Sequence, residues 1–448
     1  MSHGAPAAIG LRLSVMMFLQ FFIWGAWYVT TNNYMSAHGL SSVIAWAYTV
    51  GPIAAIVSPF FLGMVADRFF ASERILSALH IAGGVFIMLA PTMAKYQWGW
   101  APTEGPLAFL REGPFLGILL LHMLCYMPTL ALTNTVAFHS MHKPEKQFPL
   151  VRVWGTIGWI VAGLLISRLG VDRADSFILG DPDSGGFHLA LGQYHLAGLA
   201  GLLLGVYSLS LPHTPPPLRG KAFRARDALG LDALSMLRSR SFAVFIICSF
   251  LLCIPLAAYY AFTNGFIEDR GVTAVGAAMS RGQMSEILFM LVMPACFAVL
   301  GVKWMLAVGM LAWVVRYLLF AWGAELPTAE HGAFMTFLTG DAAMLLPIFI
   351  GILLHGICYD FFFVTGFIYV DREAPAAIRA SAQGFLVLVT QGLGMLIGAQ
   401  VAGALHSGLV ATDDPSWRTF WLVPAIFALV ILIFFVVLFR APRRPQNA

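Results

Sequence analysis

Three ionisable side chains stand where hydrocarbon should forbid them: Glu286, Arg316 and Asp360 each interrupt a long apolar run. A charge inside a membrane costs on the order of 3 kcal/mol or more, so such residues face a cavity or one another. Counted at about 1.5 Å per residue from the cytoplasmic ends of their segments, they lie roughly 21, 20 and 16 Å deep. Groups at similar depth on consecutive helices can meet. Burial favours the neutral form of a carboxyl group, and a neighbouring arginine favours the charged form. Movement of Arg316 relative to Glu286 and Asp360 would then bind and release a proton. The same three residues also suit a static buried ion pair.

Polar side chains gather near them. Gln283 precedes Glu286 by three residues and shares its helix face, while His355 and Tyr359, four apart, flank Asp360. His355 suits either bundle packing or the handling of substrate or protons. Tyr259, Tyr260 and Asn264 offer hydrogen bonds and ring faces in another span, and Gln20, Trp24 and Trp27 form a stripe near the N-terminus. Trp27 equally suits interhelical packing. Arg152, Thr156 and Trp159, spaced i, i+4, i+7, also face one way. Hydropathy puts Arg152 near the cytoplasmic end of its span, where a snorkelling anchor is the plainer reading.

The elements that hold these residues must be membrane helices. Only 11% of the 448 residues are charged and 59% are hydrophobic, whereas a soluble domain is about 25% charged. Apolar runs separated by polar or Pro/Gly breaks predict spans one to twelve at 11–35, 43–66, 74–94, 113–139, 149–169, 193–212, 241–267, 277–300, 303–324, 343–370, 379–406 and 418–439. The first is too long for a signal-peptide core and lacks a small-residue cleavage site. With both termini cytoplasmic, 17 lysines and arginines fall in cytoplasmic segments and 7 in external ones. That asymmetry follows the positive-inside rule.

The organisation predicted is an N-terminal six-helix bundle over 1–212, a cytoplasmic linker over 213–240 and a C-terminal six-helix bundle over 241–448. The linker carries Arg219, Lys221, Arg224, Arg226, Arg238 and Arg240, which fits an anionic inner leaflet and not nucleic acid. External insertions at 95–112 and 171–192 carry no assigned chemistry. The five cysteines lie in apolar segments without a C-x-x-C pair, so neither a disulfide framework nor a metal site is expected. No D-D-x-x-D or H-x-x-x-H pair points to a membrane enzyme.

Twelve spans split by a basic linker describe a major-facilitator-like, all-α integral membrane fold. Gly63-Met64-Val65-Ala66-Asp67-Arg68, with Arg74 following, resembles the G-x-x-x-D-R…R signature of that superfamily. A loop carboxylate held by helix N-termini and arginines locks one conformation. An ordinary charged turn is the alternative. In the second half the matching place holds only Gly301-Val302-Lys303.

More specific segments follow. Phe18-Leu19-Gln20-Phe21 with Trp24-Gly25 and Trp27, and Tyr126-Met127-Pro128-Thr129-Leu130 with Asn134-Thr135, resemble the nucleoside/proton symporter family of bacterial nucleoside and xanthosine permeases. So do Arg152-Val153-Trp154-Gly155-Thr156-Ile157-Gly158, Gln283-Met284-Ser285-Glu286, Ala312-Trp313-Val314-Val315-Arg316, Tyr359-Asp360-Phe361-Phe362 and Ala376 through Gly384. The resemblance implies uptake of nucleosides across the inner membrane by alternating access, driven by the proton gradient without a cofactor. Substrate contacts carry over onto Arg152, Thr156, Gln283, Glu286 and Asp360 by identity, and onto Trp159 and Tyr359 in kind. Tyr260, Asn264 and His355 complete the candidate set, with Glu286, Asp360 and Arg316 as proton-coupling residues and Asp67, Arg68 and Arg74 as the conformational loop.

Ala257 and Tyr260 stand where the enteric permeases have a glutamine and an asparagine, and His355 where a tyrosine is expected. These departures bear on nucleobase specificity and leave open a proton-coupled transporter of a sugar, glycoside or other small polar metabolite. The expected partners are one small-molecule substrate, protons and the lipid bilayer, for a chain that works as a monomer.

Overall fold

The computed structural model describes residues 6–61, 69–141, 144–169, 177–179, 189–216, 231–273, 275–327, 333–339, 341–375 and 378–440. Among them, nine helices are long and apolar enough to cross a membrane, from Ser41–Ser58 to Trp417–Leu438. The other three expected spans are helical as well. Span one is Pro6–Gly25 continued by Thr31–Ala37, span six is Gln193–Ser208, and span eight is the first part of Val275–Glu325. The last of these bends at Gly301 (φ 66, ψ 177). A side chain there would strain the backbone, so the turn into span nine falls on the glycine. The fold is all-α and multi-pass, as its composition requires.

Large apolar side chains remain exposed along the helices, with Val299 at 86% and Leu291 at 75%. Water would penalise such a belt and lipid does not. The helices form two compact units. One comprises Met1–Phe223 with Tyr260–Ser280, the other Arg224–Tyr259 with Arg281–Ala448.

In the first unit, span one lies tightly against span five. A Cβ at Gly158 would overlap the carbonyl oxygen of Phe18, so only glycine permits this approach. Span one then breaks. After Gly25 the chain turns and resumes as a helix at Thr31. The break exposes backbone carbonyls that hydrocarbon cannot satisfy, and polar side chains answer them. Thr31 Oγ1 donates to the Trp27 carbonyl (2.7 Å), Tyr48 Oη to the Tyr28 carbonyl (3.0 Å) and Asn264 Nδ2 to the Val29 carbonyl. Thr30, Thr31, Asn32 and Asn33 are all buried. Asn32 Nδ2 donates to the Ala261 carbonyl, Asn33 Nδ2 to Glu268 Oε2, and Thr30 Oγ1 to Gln193 Oε1.

At the other end of this unit, Glu73 ties down the chain after span six. Its carboxylate receives His213 Nδ1 at 2.8 Å and the Thr214 N–H at 3.0 Å. The insertion at 171–192, to which the sequence assigns no chemistry, contains an antiparallel pair of strands, Phe177–Leu179 with Leu189–Leu191.

Candidate functional site

The second unit gathers most of the in-span polar groups, and glycine is the reason they can meet. The start of span eight crosses span ten where neither helix carries a side chain. A Cβ on Gly282 would stand 3.0 Å from the Ile352 carbonyl oxygen, and one on Gly356 would stand 2.7 Å from the Ser285 carbonyl. Ser285 locks the crossing. Its Oγ accepts from the Gly356 N–H (3.1 Å) and donates to the Gly282 carbonyl (2.6 Å). This close approach sets His355 Nε2 4.0 Å from Glu286 Oε2.

Arg316 is completely buried. Its Nε donates to the Gly351 carbonyl at 3.0 Å, and its guanidinium carbon lies 4.1 Å from the Tyr259 ring centre and 4.8 Å from that of Trp313. Aromatic faces are the surroundings in which a desolvated guanidinium is most at ease. Tyr259 stacks on His355 (5.6 Å, 18°), and His355 stacks on Tyr359 (6.0 Å, 26°). Cation, phenol, imidazole and phenol thus form a column, with the Glu286 carboxylate at the imidazole.

Asp360 is fully buried in a π-helical turn, Tyr359–Val364, and lies within electrostatic reach of Glu286. Such turns are uncommon and cluster at functional sites. Among the described residues, neither carboxylate oxygen of Asp360 has a hydrogen-bond partner, nor has Gln283 Oε1 or His355 Nδ1. Buried polar atoms normally find partners. Four unmatched atoms on three side chains of one unit give this cluster capacity for a polar ligand or a proton.

The first unit holds the other set. The Arg152 guanidinium lies over the Phe21 ring at 4.0 Å, Thr156 is buried one turn on, and Trp159 meets Trp24 edge-on at 5.6 Å. The three candidates on span five therefore share one face, which rests on span one. Tyr260 and Asn264 also belong to this unit. Tyr260 packs edge-on to Tyr28 at 5.9 Å, and the Asn264 amide donates to the Val29 carbonyl. Arg74 is exposed at the start of span three. Asp67 and Arg68 lie outside the described residues.

Sequence reasoning ranked two contributors too low. Tyr259, which the sequence offers as a ring face but which is absent from the candidate site set, supplies the ring on which Arg316 rests. Ser285 carried no signal of its own, because a lone serine in an apolar helix usually bonds back to its own backbone. Trp27 proves to be packing, at 1% exposure, edge-on to His122 at 5.5 Å.

Comparison with known proteins gives consistent results. Residues 7–444 match the profile of the nucleoside H+ symporter family. The chain is 37% identical to the Escherichia coli protein YegT over 436 residues, covering 96% of this chain and 93% of that one. It is 29% identical to the nucleoside permease NupG of Escherichia coli, covering 96% of each. A crystal structure of the nucleoside transporter NupG superposes with a TM-score of 0.76 at 26% identity, over 97% of this chain and 100% of that one.

Proposed function

The chain belongs to the nucleoside H+ symporter family, and from that premise we propose that it takes up nucleosides by alternating access, with Glu286 and Asp360 carrying the coupled protons. One observation carries the reading: Glu286 stands 4.0 Å from His355 in a span-buried cluster that also contains Arg316 and Asp360. A charge that crosses a hydrocarbon layer alone is penalised. Protonation of a carboxylate removes that charge, and the polar atoms of Gln283, His355 and Asp360 are then free to meet substrate hydroxyls and amides. Arg316, held on two rings, is the positive charge against which the acids titrate, and its movement relative to Glu286 and Asp360 between conformations binds and releases the proton.

In this scheme Arg152 and Thr156 donate hydrogen bonds to the substrate, and Trp159 and Tyr359 offer ring faces to a planar base. Tyr260 and Asn264 complete the substrate-binding set, and Asp67, Arg68 and Arg74 form the cytoplasmic conformational loop. The protein works as a monomer in the inner membrane with both termini in the cytoplasm. The driving force is the proton gradient, and no cofactor is involved.

Uptake of radiolabelled uridine and adenosine into energised vesicles tests the substrate and the coupling together. Accumulation of at least one nucleoside, abolished by a protonophore, is expected. Accumulation of a sugar or glycoside and of no nucleoside would transfer the same coupling machinery to another substrate class.

A further inference from the structure

The scheme leaves unused a cluster of polar side chains deep in the first unit. Gln20 and Thr129 are completely buried and His80 is 2% exposed. They lie on spans one, four and three. Gln20 Nε2 donates to Thr129 Oγ1 (2.7 Å), and Thr129 Oγ1 donates to the Tyr126 carbonyl (2.6 Å). Because the threonine hydrogen is committed to that carbonyl, the glutamine must present its N–H to Thr129 and its Oε1 to His80. His80 Nε2 lies 2.8 Å from that oxygen and is therefore the protonated nitrogen of the ring. Tyr126 closes the loop, its Oη donating to the Gln20 backbone carbonyl at 2.6 Å. Each hydrogen bond fixes the direction of the next, so the network admits one arrangement.

What the network holds still is the stretch of span one that carries Phe21 and Trp24. Phe21, next to Gln20, lies under the Arg152 guanidinium. Trp24, one turn on, touches Tyr126 and Trp159, each at 5.6 Å. We infer that Gln20, clamped by His80 and Thr129, is a positioning residue for the substrate wall formed by Arg152 and Trp159. It acts by fixing the height and rotation of the span-one segment on which both side chains rest. This rests on the reading of Arg152 and Trp159 as substrate contacts. The physical basis is that contact groups must be held within a fraction of an ångström by a second layer whose own orientation is locked.

The experiment compares His80→Leu, His80→Gln, Gln20→Leu and Arg152→Ala as full-length protein in proteoliposomes. It measures KM and maximal rate of nucleoside uptake per transporter, with thermal stability of the same samples in detergent. His80→Leu and Gln20→Leu should raise KM roughly three- to tenfold with a smaller change in maximal rate. His80→Gln, which keeps an N–H donor at nearly the same reach, should recover most of the affinity. If His80→Leu and Gln20→Leu lower stability and rate but leave KM at the wild-type value, the network is merely structural and the inference is overturned. If Arg152→Ala itself leaves KM unchanged, the assignment of the substrate wall fails instead, whatever the His80 variants do.

Discussion

Gly356→Ala adds one methyl group at the crossing that brings His355 to Glu286. The new Cβ would stand 2.7 Å from both the carbonyl carbon and oxygen of Ser285. Ordinary carbon contacts begin near 3.5 Å, so the helices must separate by about 0.8 Å. The Phe289 ring, also 2.7 Å away, could rotate aside, but the Ser285 backbone cannot. Overpacking of this kind costs roughly 1–3 kcal/mol, and the Gly356 N–H to Ser285 Oγ bond, now 3.1 Å, lengthens with it. His355 rides on the displaced helix, so its 4.0 Å approach to Glu286 opens to nearly 5 Å. Displacements of about 1 Å around a reacting centre can cost on the order of 100-fold. Gly356→Ala should therefore lower thermal stability and reduce gradient-driven nucleoside uptake at least tenfold. Gly117→Ala is the matched control. It lies inside a helix with nothing within 4 Å of its added Cβ, where alanine is favoured by about 1 kcal/mol. It should be neutral or stabilising. Wild-type stability and uptake in Gly356→Ala would refute the argument, because span eight and span ten would then not be locked at that point.

Three further outcomes follow from the same geometry. Glu286→Gln should retain nucleoside exchange across the membrane but lose accumulation: one coupled charge is worth about 2.3 kcal/mol per 100 mV, or roughly a 50-fold concentration ratio, and the amide cannot carry it. Counterflow and gradient-driven uptake in proteoliposomes separate the two activities, and undiminished accumulation in both this variant and Asp360→Asn would remove the coupling assignment. Arg316→Lys should destabilise by about 2–4 kcal/mol and abolish coupled uptake, because a lysine cannot cover the Tyr259 and Trp313 rings while donating to Gly351; a detergent melting curve and an uptake assay check it. Trp159→Phe should bind nucleosides within a fewfold of wild type, whereas Trp159→Ala should lose about tenfold or more in KM, measured by uptake kinetics.

The membrane spans and the in-span charges were readable in the sequence because hydrocarbon penalises polarity so strongly that Glu286, Arg316 and Asp360 stand out without any structure. Arg152 was not decidable by that route. Near a span end, an anchor and a ligand look alike, and only the likeness of its segment to a known family favoured the ligand. The partnership of Gln20 with His80 was hidden for another reason: the two are 60 residues apart, and no periodicity links residues on different helices. The break in span one was equally invisible, since Ala26 to Asn33 reads as helix-compatible until one sees which side chains answer its carbonyls. Asn264 reads in the sequence only as a hydrogen-bonding candidate, and its amide N–H is tied to the Val29 carbonyl. The paired strands at 177–191 were unreadable because three-residue strands are too short to show an alternating pattern.

The π-helical turn at Tyr359–Val364 has a twin at Leu388–Gly394 in span eleven. An i→i+5 turn takes up one residue more than the α turn it replaces, so each of these helices is one residue longer than its rise requires. A helical wheel drawn along the whole of span ten is consequently out of phase on one side of the turn by about 100°. Removing a single residue there would leave an unbroken α-helix of the same length, with both halves of the span facing the neighbours they face now; what would change is the widened turn itself, which carries Asp360. In span ten the helix tolerates the deletion and the placement of Asp360 does not.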